Sequence, residues 1–172
     1  MKRMISLYVL VFLLTMAGNA QQIKSVKVGN MVWMAENLNI PTASGSCWYN
    51  YNEELGKKYG RLYTWEAAKN ACPAGWHLPS DAEWNKLIEL TGGSDAAGKL
   101  LKIGGRLGFN ATYGGFTTIG NFILLDGYGA YWSSSSYDDG HAWYFYITRK
   151  DDLVTRTYFT KSYGLSVRCV KN

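Results

Sequence analysis

The stretch NACPAGWHLPSDAEWNKL, residues 70–87, constrains the fold most, because it fixes where one helix ends and the next begins. Cys72 stands directly before Pro73, and a residue in that position is pushed out of the α region. A helix that enters the stretch therefore has to stop there. Ser80 and Glu83 then have the spacing of a capping box, in which hydroxyl and carboxylate each bind a free N–H group at a helix start. The sequence predicts a second helix directly after Ser80.

Both helices can be delimited from their flanking residues. Thr64 is a suitable N-cap for the first helix, which we predict over Trp65 to Ala71. The second helix carries a buried stripe and ends at Gly92-Gly93, since glycine readily adopts the left-handed conformation that terminates helices. The stripe consists of Trp84, Leu87, Ile88 and Thr91. A third, weaker helical piece is predicted over residues 95–102.

The rest of the chain is predicted to form short strands and loops rich in glycine and aromatic residues. An N-terminal β-hairpin is expected from about Ile23 to Ala35, with its turn at Gly29-Asn30. Residues 47–65 are predicted as aromatic loop and short strand. Later strands are expected in FTTIGNFILL, in GAYWSSSS running into a loop, in AWYFYITRKDDLVTRTYF as a hairpin turning at Lys150 to Asp152, and in GLSVRCVKN as a closing strand. Helices followed by a mostly antiparallel sheet predict an α+β domain.

Residues 1–20 have the features of a secretory signal peptide. A basic start, Lys2 and Arg3, precedes an apolar run, and small residues stand where signal peptidase would cut before Gln21. The apolar run is shorter than the roughly 20 residues that a spanning helix needs, so an uncleaved anchor is the less favoured alternative. We predict secretion to the periplasm, the outer surface or the medium. Residues 21–172 are then one domain without a membrane span.

The charge of the chain excludes one class of partner. The formal net charge is +5, from 18 basic and 13 acidic residues. These charges are dispersed, and the longest basic cluster is the pair Lys57-Lys58. Because binding to a phosphate backbone requires a basic patch, we predict no nucleic-acid partner.

The central stretch also contains side chains that could do chemistry, but each has a simpler explanation. A catalytic thiol needs an imidazole aimed at it, and the Pro and Gly between Cys72 and His77 give no such alignment. Asp81 and Glu83 could form an acid–base pair, but their place at a helix start already accounts for both.

No metal site is predicted. Structural zinc sites use close ligand pairs such as CxxC or HxxxH, and the cysteines and histidines of this chain form none. The Asp138-Asp139 and Asp151-Asp152 pairs lie outside any EF-hand loop and are expected in turns. The sequence therefore predicts no metal and no cofactor.

Three cysteines in an oxidising compartment leave one without an intramolecular partner. They are Cys47, Cys72 and Cys169. One thiol must stay free, pair with another chain or be capped, and the residues alone do not say which.

The block YGRLYTWEAAKNACPAGWHLPSDAEWNKL resembles the Fibrobacter succinogenes major paralogous domain family of secreted bacterial proteins. Further matches follow the order expected for that family and extend the resemblance over nearly the whole chain after residue 20. They are MAENLN, CWYN, GFNATYGGF, YWSSS and SVRCV.

The resemblance implies a C-type-lectin-like fold, distantly similar to formylglycine-generating enzymes and to the variable proteins of diversity-generating retroelements. In such a fold the chain ends meet, two main helices flank small sheets, and a long irregular segment presents a binding surface. The resemblance also implies a disulfide from the first helix to the last strand, which maps onto Cys72 and Cys169. Relatives carry another cysteine just before YGRLYTW, and this chain does not. Cys47 is therefore the candidate free thiol, and it could link two chains as a disulfide dimer.

The activities of those distant relatives do not carry over to this sequence. It has no calcium–sugar motif, no paired copper cysteines and no set of iron-binding histidines. We therefore expect a non-catalytic binding or display module rather than an enzyme of the formylglycine-generating type.

The expected contact surface is the aromatic and polar run from Gly127 to Tyr146, because so many Tyr, Ser, Asp and His side chains favour water or a partner. The candidate ligand-binding residues, for a glycan or a protein, are Tyr128, Tyr131, Ser134, Tyr137, Asp138, Asp139, His141 and Tyr144. An alternative is that this run is the variable region of a retroelement-diversified surface protein.

Overall fold

The computed structural model describes residues 23–172, so the predicted signal peptide and its cleavage site lie outside the described residues. Within that part of the chain there are four α-helices: α1 (Glu53–Tyr59), α2 (Trp65–Lys69), α3 (Asp81–Leu90) and α4 (Ala97–Leu101). The strands are β1 (Ser25–Val28), β2 (Met31–Met34), β3 (Ser46–Cys47), β4 (Leu62–Tyr63), β5 (Trp76–His77), β6 (Phe116–Thr117), β7 (Phe122–Ile123), β8 (Tyr128–Ser136), β9 (His141–Thr148), β10 (Val154–Thr160), β11 (Leu165–Ser166) and β12 (Val170–Lys171). The α+β prediction is confirmed. Among the described residues no helix has the length and apolar character needed to cross a membrane.

The two predicted helix starts are confirmed in atomic detail. The Thr64 hydroxyl accepts from the Ala67 N–H at 3.4 Å at the start of α2. At the start of α3, the Ser80 hydroxyl accepts from the Glu83 N–H at 3.3 Å, and the Glu83 carboxylate accepts from the Ser80 N–H at 2.7 Å. The capping box predicted from sequence is therefore complete. Helix α2 ends at Lys69, slightly before the predicted Ala71.

Helix α1 corrects the prediction for residues 47–65, which were expected to contain only loop and strand. The Asn52 side chain caps it by accepting from the Leu55 N–H at 3.0 Å. Acidic residues in its first turn and basic residues in its last turn complement the helix dipole. Gly56 lies inside the helix because a Cβ there would be only 2.2 Å from the indole of Trp48. Helix α4 confirms the weaker helical piece predicted over residues 95–102, so α1 is the helix that the prediction lacked.

The strands form three sheets. Their orders are β1-β2-β12-β5, β10-β9-β8-β11-β4-β3, and β6-β7. The predicted N-terminal hairpin, the β6–β7 pair and the β9–β10 hairpin are all confirmed. The predicted closing strand instead divides into β11 and β12, which belong to different sheets, so this short segment ties two sheets together.

Helices α2 and α3 cover opposite faces of the six-stranded sheet. Tyr131 of β8 packs against Trp84 of α3, with ring centroids 5.7 Å apart. Trp132, the next residue, belongs to the cluster that contains Ala68 of α2. Successive residues of a strand point to opposite faces, so each helix has its own face. Trp84 is the centre of the α3 side, where its ring also contacts Trp33, Phe109 and Phe145.

Arg168 lies between β11 and β12 and is completely buried. Its guanidinium donates to the side chain of Asn37 and to the backbone carbonyls of Met34, Phe109 and Asn110. No carboxylate of the described residues lies within ion-pair distance of it. A charged side chain can be buried in this way only because so many hydrogen bonds replace water.

The disulfide between Cys72 and Cys169 is present, as the family resemblance implied. Its Cα atoms are 6.0 Å apart and it closes a loop with a sequence separation of 97. The bond links the turn after α2 to the residue before β12, and Cys169 itself is fully buried.

Candidate functional site

The strands separate the predicted contact residues, and two of them prove to be core residues. Tyr131 is completely buried, and its hydroxyl donates to the Thr112 carbonyl at 2.8 Å. Tyr144 is 6% exposed and lies edge-on against Trp132. Both belong to strands that have neighbours on each side, and both faces of the sheet are covered at these positions. The prediction that Tyr131 and Tyr144 lie on a contact surface is therefore wrong.

Tyr128 lies on the α2 side of the sheet, beside Tyr144. Its ring stacks on Tyr146 at 4.7 Å, and its hydroxyl lies 3.1 Å from that of Tyr144. Burial, with the hydrogen bond to Tyr144, raises the pKa of Tyr128 well above its ordinary value. This phenol is part of a continuous packing of buried and half-buried aromatic rings on that face. The packing consists of Phe116, Tyr128, Tyr144, Tyr146, Phe159 and Tyr163.

The serine run contacts the helix starts rather than a ligand surface. The Ser134 N–H donates to the Pro79 carbonyl at 2.8 Å, and the Ser135 hydroxyl accepts from the Asp81 N–H at 3.0 Å. Ser133 is fully buried, and its carbonyl accepts from the Trp65 indole at 2.8 Å. Small polar side chains thus let both helix starts approach β8 closely. Ser134 itself is half-buried beside this contact.

The remaining four predicted residues lie together at the turn that joins β8 to β9. Tyr137, Asp138 and Asp139 are exposed, and His141 is half-exposed. The Asp138 carboxylate accepts from the N–H groups of Gly140 and His141 at 2.8 and 2.7 Å. It also lies 2.8 Å from Nδ1 of His141, and this contact is the main reason why the pKa of Asp138 is lowered. Asp138 therefore shapes the turn, while Tyr137 points outward from it.

Tyr137 belongs to an exposed cluster that we call the aromatic tip: Tyr137, His141, Trp143, Arg156 and Tyr158. The rings of Tyr137 and Tyr158 stack at 4.1 Å with planes inclined by only 2°, and they are 47% and 46% exposed. Trp143 meets Tyr137 edge-on at 4.9 Å, and His141 meets Tyr158 edge-on at 5.6 Å. The cross-strand pairing of Trp143 with Tyr158 holds the cluster on one face of the β9–β10 hairpin.

Arg156 fastens the aromatic tip to helix α3. Its guanidinium carbon lies 3.3 Å from the centroid of the Trp143 ring. Its Nε and Nη2 donate to the two carboxylate oxygens of Asp81 at 2.6 and 3.1 Å, a bidentate arrangement. Asp81 is the first residue of α3, so the capped helix start also positions the tip. Sequence reasoning missed Arg156 and Tyr158, because their nearness to residues 137–143 depends on the pairing register of β10.

The polar cluster around His77 is a structural feature of the turn into α3. Nε2 of His77 lies 2.8 Å from the Glu83 carboxylate, and Nδ1 lies 2.6 Å from the Asn172 side chain. Partial burial disfavours the charged imidazole, but the contacts with Asn172 and Glu83 outweigh it, so the pKa of His77 is raised. No group of three or more His, Cys, Asp or Glu residues suited to a metal ion occurs within residues 23–172.

Cys47 is the free cysteine of the described residues, as predicted. It lies in β3, at the edge of the six-stranded sheet. Burial raises the pKa of the Cys47 thiol, and the nearby charge of Arg61 only partly opposes this effect. Because the thiolate is the reactive form, the thiol is less reactive than an exposed cysteine. The dimer through Cys47 stays a prediction.

Comparison with known proteins identifies the family. No curated protein and no solved structure matches the chain. The family model of the Fibrobacter succinogenes major domain matches residues 26–171, which include every strand and helix described above except Ser25, the first residue of β1. The capped helices, the disulfide and the sheet that carries the aromatic tip thus all lie within the matched region. The chain therefore belongs to the Fibrobacter succinogenes major domain family.

Proposed function

We propose that this protein is a non-catalytic binding module that recognises a partner protein through the aromatic tip. The observation that carries the proposal is the stacked pair Tyr137 and Tyr158, two large rings that each keep nearly half of their surface exposed. Soluble proteins normally bury such rings, and an exposed aromatic cluster on a regular element is typical of interaction sites.

Contacts within the protein hold the tip in place before any partner arrives. Trp143 and Tyr158 belong to paired strands, and Arg156 is held by both oxygens of Asp81. A preorganised surface loses little conformational freedom on binding, so more of its contact energy contributes to affinity. Tyr, Trp and Arg are also the residue types that dominate binding energy in protein interfaces.

The carboxylates beside the aromatic tip, those of Asp81 and Asp138, favour recognition over catalysis. Asp81 is neutralised by Arg156, and the Asp138 carboxylate accepts hydrogen bonds within its own turn. A general acid or base needs a group that is free to exchange a proton with a substrate. These carboxylates are instead engaged in holding the surface in shape.

We further propose a C-type-lectin-like fold and secretion. The fold assignment is supported by the pairing of β12 with β2, which brings the two ends of the described chain together, and by helices on both faces of the larger sheet. Secretion is supported by the Cys72–Cys169 disulfide, because such bonds persist in oxidising compartments. Recovery of the processed chain from the periplasm or the medium, starting at Gln21, would test it.

Alanine variants of the tip test the binding function. Tyr137→Ala and Tyr158→Ala should weaken capture of partners from the surface of the source cells or their surroundings by about tenfold to thirtyfold, or about 1.4–2 kcal/mol. Tyr51→Ala is the matched control, since Tyr51 is 77% exposed and lies against Phe122, away from the tip. Equal binding by all three variants would contradict the proposal.

A glycan array probed with the same variants decides between ligand classes. The protein-partner proposal predicts tip-dependent capture of proteins and no tip-dependent glycan signal. Glycan binding that is lost in Tyr137→Ala and retained in Tyr51→Ala would overturn the choice of a protein partner while keeping the tip as the contact surface.

A further inference from the structure

Strand β10 is an unusually open edge of the six-stranded sheet. It has seven residues, Val154–Thr160, and pairs with β9 without a bulge. Proteins usually protect such edges with proline, several charges, bulges or a short strand. The sequence VTRTYFT has no proline and one charged residue, Arg156. Its other residues are valine, threonine, tyrosine and phenylalanine, which all favour β structure. The opposite edge of the same sheet, β3, has only two residues.

The pairing with β9 determines which backbone groups face the open edge. The Lys161 N–H donates to the Gly140 carbonyl, so the residue after β10 is in a hydrogen-bonded pair with the β9 side. Hydrogen-bonded and non-hydrogen-bonded pairs alternate along an antiparallel ladder. Val154, Arg156, Tyr158 and Thr160 therefore direct their N–H and C=O groups away from β9. The bond from the Val154 N–H to the Ser94 carbonyl confirms this direction.

Six of these outward groups have no partner among residues 23–172. At the two ends, the Val154 N–H is bonded to Ser94 and the Thr160 carbonyl accepts from the Tyr163 N–H at 3.0 Å. The N–H groups of Arg156, Tyr158 and Thr160 remain as donors. The carbonyls of Val154, Arg156 and Tyr158 remain as acceptors. Three donors thus stand beside three acceptors along one edge.

We propose that β10 is a self-association edge, at which a second copy of this chain adds its own β10 in antiparallel orientation about a two-fold axis at Thr157. In this register Arg156 faces Tyr158 of the second copy, and Thr160 faces its Val154. Each of the three free donors then meets one of the three free acceptors. The groups already bonded, the Val154 N–H and the Thr160 carbonyl, are the ones that would otherwise face each other. The two six-stranded sheets become one continuous sheet.

The side chains favour this register over its neighbours. A two-fold axis at Arg156 would place two guanidinium groups opposite each other, and like charges in that position destabilise a sheet. An axis at Tyr158 would leave part of the strand unpaired. With the axis at Thr157, the Arg156 cation faces a tyrosine ring, to which it is attracted. Thr157 faces Thr157 of the second copy, on the α2 side of the sheet and opposite to the aromatic tip.

Charged substitutions at Thr157 test this interface. In sedimentation and light-scattering measurements over a concentration series, the purified protein should pass from one chain to two. Thr157→Lys and Thr157→Glu should each remain at one chain, because two like charges then face each other across the axis. An equimolar mixture of the two variants should form dimers again. Ser25→Lys adds the same charge to the edge strand of the other sheet and should leave the dimer unchanged.

Each contrary outcome overturns the proposal. A protein that stays monomeric up to about 1 mM has no specific interface of this kind. A dimer that survives both Thr157 variants, or a mixture of folded variants that does not reassociate, uses another surface. A dimer that dissociates on reduction is linked through Cys47. Since Thr157 lies away from the tip rings, loss of dimerisation with unchanged partner binding separates this inference from the proposed function.

Discussion

Replacement of Arg168 by methionine tests whether hydrogen bonds, rather than an ion pair, justify a fully buried cation. Methionine keeps most of the apolar stem and removes every donor. Met34 and Phe109 would then lose the guanidinium donor from carbonyls that are fully buried, and the bond to Met34 is 3.1 Å long. The Asn37 side chain and the Asn110 carbonyl, which are partly buried, lose their donors too.

The expected magnitude follows from these orphaned acceptors. A buried polar group left without its partner costs about 1–3 kcal/mol, so the two buried carbonyls alone cost about 2–6 kcal/mol. Removing the charge also relieves its desolvation, which lowers the total. We expect Arg168→Met to reduce the free energy of unfolding by about 3–4 kcal/mol. Arg168→Lys keeps the charge but loses the planar guanidinium fork. Its free energy of unfolding should therefore lie between those of the wild-type protein and Arg168→Met.

Urea unfolding followed by tryptophan fluorescence measures this effect, with the midpoint and slope fitted together. Buried ion pairs can be replaced by apolar residues at no cost when both partners are replaced. Here three of the acceptors are backbone carbonyls, which no substitution removes, and only the Asn37 acceptor belongs to a side chain. A change below about 1 kcal/mol for Arg168→Met, with an unchanged slope, would refute the reasoning.

Three further outcomes are expected. Replacing Cys72 and Cys169 together by alanine should destabilise the fold by about 2–5 kcal/mol, because the bridge closes a long loop, and equal urea midpoints would contradict this. The pKa of His77 is raised and the pKa of Glu83 is lowered, so their contact stabilises the fold between the ordinary pKa values of about 4.3 for Glu and 6.5 for His. This stabilisation is lost when the pH rises through the raised pKa of His77 or falls through the lowered pKa of Glu83. His77→Gln should therefore cost up to about 1 kcal/mol near pH 5.5 and almost nothing near pH 8.5, the small size reflecting exposure to solvent; a larger loss at the higher pH would reverse the sign. Titration with a thiol reagent should find one thiol, that of Cys47, which reacts slowly in the folded protein and completely once the protein is unfolded without reductant. Rapid reaction of Cys47 in the folded protein would disprove its protection.

Helices α2 and α3 could be predicted because their boundaries are set by neighbouring residues. Thr64, Ser80 and Glu83 act within one helical turn, so their pattern in the sequence carries nearly all the information. Helix α1 was missed since it has few buried residues and contains Gly56. Asn52, followed by acidic and then basic residues, was the available signal for it.

The contact surface could be predicted only in part, because it depends on strand register. The β9–β10 hairpin was expected to turn about Lys150 to Asp152, which would place Trp143 opposite Phe159. The structure pairs Trp143 with Tyr158 instead. A shift of one residue moves every side chain to the other face, so Arg156 and Tyr158 could not be assigned to the tip.

Tyr131 and Tyr144 illustrate a second limit of sequence reasoning. Tyrosine occurs both in cores and on surfaces, and its pattern along a strand that is covered on both faces does not alternate. Tyr131 is buried because α3 lies over it, and Tyr144 because Trp132 and its neighbours cover the other face. Both coverings come from residues distant in sequence, so no local pattern could have indicated them.

The place of β12 determines when this domain can fold as the chain is made. Val170 lies between Trp33 and His77, so β12, the last of the described strands, occupies the interior of a sheet whose other strands come much earlier in the sequence. Until β12 is in place, Trp33 in β2 lacks its neighbouring strand on the β12 side. Such long-range closure slows folding. We therefore expect the domain to complete its fold only after β12 has been synthesised, and a chain without β12 should expose apolar surface and tend to aggregate.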